Sequence, residues 1–158
     1  MFEQLTANEI ELLNSFLLLS SSSQKELKDY MRYLLCKQYK KDVMASIFNN
    51  QLLHTLIHSL LHLVERDDFD LGQVEKRMKQ IHELYFGLFE QVHHRYAEII
   101  TDLDSHEMVK DFGKSNCDNI NRACKTGNRA LVRAEVVEFY EGYIKLAKKK
   151  DARKIVAV

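Results

Sequence analysis

Hydrophobic residues recur at intervals of three and four positions along most of the chain, which is the spacing of one face of an α-helix. Thr6 and Glu9 have the spacing of a capping box, the polar pair that often begins a helix, and so do Ser23 and Glu26. Each pair precedes a periodic apolar run, so two helices are predicted with N-caps at Thr6 and Ser23. Their apolar positions are Ile10, Leu12, Leu13, Phe16 and Leu17, then Leu27, Tyr30, Met31, Leu34, Leu35, Tyr39, Val43 and Ile47.

The next two helices are predicted over about 51–65 and from about Asp70 onward. The apolar positions of the fourth helix alternate spacings of four and three, which is typical of a coiled-coil seam. These positions are Val74, Met78, Ile81, Tyr85, Leu88 and Val92, extended by Tyr96, Ile99 and Leu103.

A fifth helix is predicted over about 105–125 and a sixth over about 129–149. Gly127 is placed to end the fifth helix in the left-handed conformation, and Asn128 is placed to cap the sixth. No segment alternates apolar and polar residues as a half-buried strand does. The pattern therefore predicts an all-α fold of about six helices, with a globin-like or helical-bundle architecture. It also predicts a single helical domain over 1–149 and a flexible basic tail over 150–158.

Composition narrows the class of protein further. The 158 residues are 46% hydrophobic, and 23 basic residues balance 23 acidic ones. A net charge of zero gives no reason to expect a nucleic acid or a membrane surface as partner, and it removes a barrier to self-association. Three cysteines without paired spacing, no apparent signal peptide and no apolar run of about 20 residues favour a cytoplasmic protein. No catalytic motif or acid–base pair stands out, so an enzyme is not expected.

The histidines are the main candidates for metal chemistry. His54 and His58 stand four residues apart, as helical metal ligands often do. His94 and Glu98 share that spacing, and with His106 and Asp111 they resemble the di-iron ligand sets of hemerythrin. The order along the chain differs from that family, so the expectation is no metal. If a site were present, its ligands would be His54, His58, His94 and Glu98.

The segment from Ile81 to Phe89 resembles the proximal-histidine helix of bacterial globin-coupled sensors, with His82 followed by Gly87 and aromatic residues. The glycine comes one residue late and the family's tryptophan is absent, so haem is not expected. In length and in its leucine- and tyrosine-rich helices the chain is more similar to haem-less globin-like sensor domains. These are the sensor domains of Bacillus sporulation kinases and the stand-alone sporulation-inhibitory proteins.

That resemblance implies a dimeric, non-catalytic sensor domain that holds a fatty acid in the pocket where haem would sit. A stand-alone domain of this kind would compete with a signalling histidine kinase for its signal. The ligand-binding candidates are His54, His58, His82, Tyr85 and Phe89.

The sixth helix carries a broad apolar face, which is wide enough to be core, a dimer interface or a pocket wall. Of the functional alternatives, dimerisation through the fourth and sixth helices is favoured. The candidate dimer-interface residues on the sixth helix are Val136, Tyr140, Tyr143 and Ile144. Two other hypotheses stay open. One is a non-haem iron or haem protein that uses the histidines. The other is nucleic-acid binding through the basic residues Lys145, Lys148, Lys149, Lys150, Arg153 and Lys154.

Overall fold

The computed structural model of the chain describes residues 4–100, 103 and 108–156. Within these ranges the chain forms six α-helices and no strand, which confirms the all-α prediction. The helices are α1 (Ala7–Leu18), α2 (Ser21–Phe48), α3 (Gln51–Glu65), α4 (Leu71–Ala97), α5 (Met108–Thr126) and α6 (Arg129–Val156).

Serine and threonine hydroxyls set the beginning of the first two helices. The capping box of α1 is confirmed, because the Glu9 amide donates to Thr6 Oγ1 at 3.3 Å and the Thr6 amide donates to Glu9 Oε2 at 2.7 Å. The prediction that Ser23 caps α2 is wrong. The Ser23 amide instead donates to Ser20 Oγ at 3.2 Å, so α2 begins at Ser21. Leu19, in an extended conformation, ends α1 and places Ser20 directly at the capping position.

The predicted turn between α5 and α6 is confirmed. Gly127 has a φ of 73°, a left-handed conformation that glycine adopts without a steric penalty. Asn128 Oδ1 then accepts from the amides of Ala130 and Leu131 at 3.1 and 3.3 Å. At its other end α6 continues to Val156, where the sequence predicts a loose tail from residue 150. Alanine, lysine and arginine dominate this stretch, and their high helix propensity explains the extension.

The contacts of the chain group into two compact units, Met1–Lys37 (unit 1) and Gln38–Val158 (unit 2). All the buried hydrophobic residues lie in unit 2, and no polar or charged residue is buried among the residues described. The most completely buried side chains include Ile47, Leu53, Ile57, Leu60, Val74, Ile81, Tyr85, Ile120, Phe139 and Tyr143. The core of unit 2 is therefore built by α3–α6 and the last turns of α2.

The buried face of α4 follows the period of a straight helix rather than a coiled-coil heptad. Phe89 is buried, and Leu88, the heptad position, is only half-buried. A straight helix drifts by about 20° per heptad, so the residue that faces the core moves from one position to the next. The helix ends at Ala97, and Ile99, placed in the predicted stripe, is 72% exposed. Beyond Tyr85 the predicted positions Val92 and Tyr96 are buried, whereas Leu88 and Ile99 are not, so the seam is followed only in part.

Two glycines bring helices of unit 2 into close contact. The Tyr85 ring of α4 lies on Gly113 of α5, where an added Cβ would stand 2.3 Å from Tyr85 Cε1. The Tyr85 hydroxyl donates to the backbone carbonyl of Val109, one turn earlier on α5. On α6, a Cβ at Gly142 would stand 2.6 Å from Phe112 Cε2. The absence of these side chains allows aromatic rings to fill the space between the helices.

Arginine side chains of α6 hold the connection between α3 and α4. Arg129 Nε donates to the Phe69 carbonyl at 2.9 Å, and Arg133 Nε donates to the Val64 carbonyl at 2.7 Å. A second nitrogen of Arg133 donates to the Arg66 carbonyl at 3.1 Å. The last carbonyls of a helix have no partner within it, and Arg133 supplies one at the end of α3.

Candidate functional site

Unit 1 carries most of the exposed large hydrophobic side chains. No residue described between positions 4 and 37 is buried, and α1 has no buried residue at all. Of the fifteen large hydrophobic residues exposed in the described part of the chain, eleven lie in unit 1. These eleven form what is called here the N-terminal apolar surface: Leu5, Ile10, Leu12, Leu13, Leu17, Leu18, Leu19, Tyr30, Met31, Tyr33 and Leu34.

The apolar positions of α1 cover more than one narrow stripe. At about 100° per residue, the positions from Leu12 round to Ile10 span an arc of about 160°, against about 100° for a helix packed on one side. Leu13, Phe16 and Leu17 lie inside this arc, and the opposite side of the helix is mainly polar. Only Phe16 of the five is half-buried, and the other four are exposed. The width of the arc is therefore suited to a helix whose apolar side chains pack against more than one neighbouring surface.

The contacts between α1 and α2 lie near the turn that joins them and leave the apolar side chains open. Gln24 Nε2 donates to the carbonyls of Phe16 and Leu19 at 3.0 and 3.3 Å. The Lys28 ammonium lies 5.6 Å from the centre of the Phe16 ring. Further along α2, the rings of Tyr30 and Tyr33 stack at 6.4 Å.

Charge is distributed unevenly between the two helical segments of unit 1. The only charged residues of α1 are acidic, Glu9 and Glu11. Residues 21–37 carry four basic and two acidic side chains, namely Lys25, Lys28, Arg32 and Lys37 against Glu26 and Asp29. The two segments therefore have opposite net charge, and together they are neutral.

Unit 2 contains a small apolar cavity of about 180 Å³. It is lined by Tyr39, Lys40, Val43 and Met44 of α2, Phe89 of α4, and Met108 and Val109 of α5. Apart from the lysine ammonium and the tyrosine hydroxyl the side chains are apolar. The volume is below the roughly 300–1,000 Å³ of pockets for drug-sized ligands, so the cavity has room for a short apolar chain.

Cationic and aromatic groups surround this cavity. The Lys110 ammonium lies 5.9 Å from the centre of the Phe89 ring, and the His93 ring stacks on Phe89 at 5.8 Å. Tyr85, which donates to the Val109 carbonyl, has its pKa raised by burial and, to a lesser degree, by Cys117. With Lys40 and Lys110 beside an apolar lining, the cavity could hold a short chain that ends in an anionic group.

The predicted ligand residues are divided between this cavity and other places. Phe89 lines the cavity, and Tyr85 contacts its wall through Val109. None of the three histidines lines it. The rings of His54 and His58 of α3 meet edge to face, with ring centres 4.2 Å apart, and His82 is exposed on α4.

The histidines of α3 form an aromatic cluster with tyrosines of α6. His58 contacts the Tyr140 ring at 5.2 Å, and His54 contacts the Tyr143 ring at 6.1 Å. Burial, followed by the charges of His54 and His62, lowers the pKa of His58. Tyr143 is fully buried, and its hydroxyl has no hydrogen-bond partner among the described residues.

The proposed metal ligands do not meet. Across the described ranges no three histidine, cysteine or carboxylate side chains are arranged to hold a metal ion. His94 Nε2 lies 3.6 Å from Glu98 Oε1, and both side chains are exposed. His54 and His58 are not joined to that pair, so the four-residue set is not formed. Asp111 is exposed on α5, and His106 lies outside the described residues.

The predicted dimer interface on α6 is partly used for the core. Val136 and Tyr143 are each 1% exposed, and only Tyr140 and Ile144 remain partly accessible.

Of the basic residues near the C-terminus, Lys145, Lys148 and Lys149 are exposed. The side chains of Lys150, Arg153 and Lys154 lie outside the part of the chain that the structure describes.

Comparison with known proteins assigns no family. No protein-family model matches the sequence, and neither the curated proteins nor the solved structures give a significant match. Within the part of the chain that is described, no helix has the length and apolar character to cross a membrane.

The sequence contains part of the signal for the cavity and for the N-terminal apolar surface. Tyr39 and Val43 stand in the predicted apolar stripe of α2, and no local pattern marks Lys40 as a cavity residue. The apolar residues of unit 1 also stand at helical spacing, which predicts a face able to be buried. It does not indicate whether this chain or another one covers that face.

Proposed function

We propose that the chain is a non-catalytic regulatory protein that acts by binding another polypeptide through the N-terminal apolar surface. The observation that carries this proposal is that none of residues 4–37 is buried, although eleven large hydrophobic side chains among them are exposed. Large exposed apolar areas on soluble proteins often mark interaction sites.

The stability of α1 gives the physical argument. The helix has 12 residues, and isolated helices of that length are marginal in water because nucleation is costly. Most helices of this size are stabilised by packing of their apolar face. Since α1 buries none of its residues, another surface must cover Leu13 and Leu17 if the helix is to be stable.

The charges of α1 favour a protein partner over a lipid surface. Helices that lie in a membrane interface are rich in lysine and arginine on their polar face. Here the polar side of α1 consists mainly of Asn8, Glu11, Asn14 and Ser15, and the helix contains no basic residue. An acidic polar side would be repelled by anionic lipid, whereas it can pair with the basic rim of a protein.

The double variant Leu13→Glu/Leu17→Glu tests the proposal, with Asn14→Glu/Ser15→Glu as the matched control. Both variants add two carboxylates to the middle of α1, but only the first places them inside the apolar arc. The full-length wild type and the control variant are each expected to co-purify with a bound polypeptide, which can be a second copy of this chain. The Leu13→Glu/Leu17→Glu chain is expected to lose that polypeptide and to keep the circular dichroism of unit 2.

Fluorescence of a hydrophobic dye at low protein concentration gives a second readout, because the dye binds exposed apolar surface. The dye signal is expected to fall in Leu13→Glu/Leu17→Glu and to be unchanged in the control. Equal co-purification and equal dye binding in the two variants would contradict the proposal. So would unfolding of unit 2 by Leu13→Glu/Leu17→Glu, since the surface would then be part of this chain's own core.

The cavity supports a second candidate function, which is the binding of a short fatty acid. Lys40 stands at an otherwise apolar cavity, with Lys110 beside Phe89, so an alkyl chain and a carboxylate would both find suitable neighbours. A cytoplasmic regulator could then respond to such a ligand, as the resemblance to haem-less sensors of sporulation kinases implies. Haem and non-haem iron receive no comparable support, because the candidate ligands are dispersed.

Isothermal titration with decanoate tests this second function. Lys40→Glu is expected to weaken decanoate binding by at least about tenfold, since the loss of one charge-assisted contact amounts to about 1.5–3 kcal/mol. Lys41→Glu, at the exposed neighbouring position, is the control and is expected to bind like the wild type. Equal affinity of both variants, or equal binding of decanol and decanoate, would refute the role of Lys40.

A further inference from the structure

We infer that the polypeptide bound by the N-terminal apolar surface is a second copy of this chain, with α1 of each copy packed on residues 21–37 of the other. The inference rests on the proposed function, and it adds the identity of the partner and the pairing of the helices. It places the dimer interface in unit 1 instead of on α6, where the sequence pattern predicts it.

Charge complementarity supports a symmetric pair. In a two-fold dimer the same surface meets itself, so the surface has to be self-complementary. The acidic Glu9 lies inside the apolar arc of α1, and the basic Lys37 lies one turn from Leu34 on segment 21–37, so the two side chains are suited to pair between copies. A surface of one charge sign would repel its copy, whereas unit 1 carries equal numbers of acidic and basic side chains among its described residues.

The extent of the surface is also suited to a dimer. With roughly 100 Å² accessible on each of the eleven side chains, the surface is on the order of 1,000 Å², and a standard interface buries about 800 Å² per partner. Tyr30 and Tyr33, which are 59% and 61% exposed and stacked, supply the aromatic side chains that often dominate binding energy. The surface thus has the size and the composition of one half of a stable interface.

The contacts inside unit 1 leave the apolar side chains of α1 and of residues 21–37 accessible to a second copy. The bonds from Gln24 to Phe16 and Leu19 and the contact of Lys28 with Phe16 hold the end of α1 near the turn. Ile10 and Leu13 of α1 and Met31 and Leu34 of α2 are each between 43% and 48% exposed. Packing α1 on the α2 segment of a second copy would cover both sets at once.

Sedimentation equilibrium of the full-length chain tests this inference. The wild type and Asn14→Glu/Ser15→Glu are expected to be dimers at micromolar concentration. Leu13→Glu/Leu17→Glu is expected to be a folded monomer, with dimerisation weakened at least about 100-fold, because two central apolar residues are lost.

Charge reversal tests the pairing of the helices. Glu9→Lys and Lys37→Glu are each expected to weaken the homodimer several-fold. Glu9 lies inside the apolar arc of α1 and Lys37 lies one turn from Leu34 on α2, so each change brings like charges together at the interface. A mixture of the two variants is expected to form the heterodimer in preference, as native mass spectrometry would show. Equal populations of homodimers and heterodimers at the statistical ratio would refute the packing of α1 on the partner's segment 21–37.

The remaining outcomes separate the two proposals. If the wild type is a monomer and its dye binding is lost in Leu13→Glu/Leu17→Glu, the inference that the partner is a second copy is overturned. The partner would then be a different polypeptide. A monomeric wild type without dye binding would overturn both proposals. A dimer that survives Leu13→Glu/Leu17→Glu but dissociates in Tyr140→Glu/Ile144→Glu would place the interface on α6 and overturn the inference.

Discussion

Substitution of Gly113 by alanine probes the closest helix contact in unit 2. An alanine Cβ would stand 2.3 Å from Tyr85 Cε1 and 2.9 Å from Cζ, whereas ordinary van der Waals contact begins at 3.4 Å. The Tyr85 ring is 1% exposed and is held by its hydroxyl bond to the Val109 carbonyl. The ring therefore has to move by about 1 Å or more within a closely packed core, in which an extra methyl group is already felt.

The expected change in the free energy of unfolding combines three effects. Overpacking a core costs about 1–3 kcal/mol, and loss of the Tyr85 hydrogen bond costs about 1 kcal/mol. The higher helix propensity of alanine returns about 1 kcal/mol. Gly113→Ala is therefore expected to destabilise the protein by about 2 kcal/mol, although alanine would stabilise the isolated helix.

Gly87→Ala is the matched control. Gly87 is an exposed residue of α4, and no atom lies within 4 Å of the position of its missing Cβ. Alanine at this position is expected to stabilise the protein by up to about 1 kcal/mol. Urea denaturation followed by circular dichroism at fixed pH gives both values. Stability of Gly113→Ala equal to or above that of the wild type would refute the steric argument.

Two further predictions concern titratable side chains. Burial, together with the charge of Asp118, raises the pKa of the Cys117 thiol to about 11, so iodoacetamide at mildly alkaline pH should modify the half-buried Cys36 first. Mass spectrometry would detect the adducts, and equal rates at the two thiols would contradict the prediction. Because the pKa of His58 is lowered below 6.5 in the folded state, the unfolded chain binds its proton more readily. Stability should therefore be retained above pH 6.5 and decrease on acidification below it. His58→Gln should reduce this loss in urea titrations at pH 7.5 and 5.5, and an unchanged pH dependence would count against His58.

Local signals explain which parts of the fold could be predicted from the sequence. The capping box at Thr6, the extent of α3 and the Gly127–Asn128 turn each depend on a few neighbouring residues, and all were predicted correctly. The start of α2 was missed because four consecutive serines offer several similar hydroxyls, and only Ser20 is placed by the end of α1.

The rest depends on contacts that a local pattern does not contain. Leu88 and Phe89 both fit a helical stripe, and only the packing around α4 selects Phe89 for the core. Lys40 becomes a cavity residue because α2, α4 and α5 meet beside it. The exposure of Leu13 and Leu17 has the same origin, since periodicity identifies a face that can be buried and not the surface that buries it.

The arginine contacts of α6 have a consequence for the order of folding during synthesis. Arg129 and Arg133 bind carbonyls that lie 60 and 69 residues earlier in the chain, at Phe69 and Val64. The ribosome releases α3 well before α6, so the terminal carbonyls of α3 must remain in water until α6 emerges. Contacts of such long sequence separation form slowly, because a long loop has to close first. We therefore expect a nascent chain that lacks α6 to have a frayed end of α3 and an open α3–α4 connection.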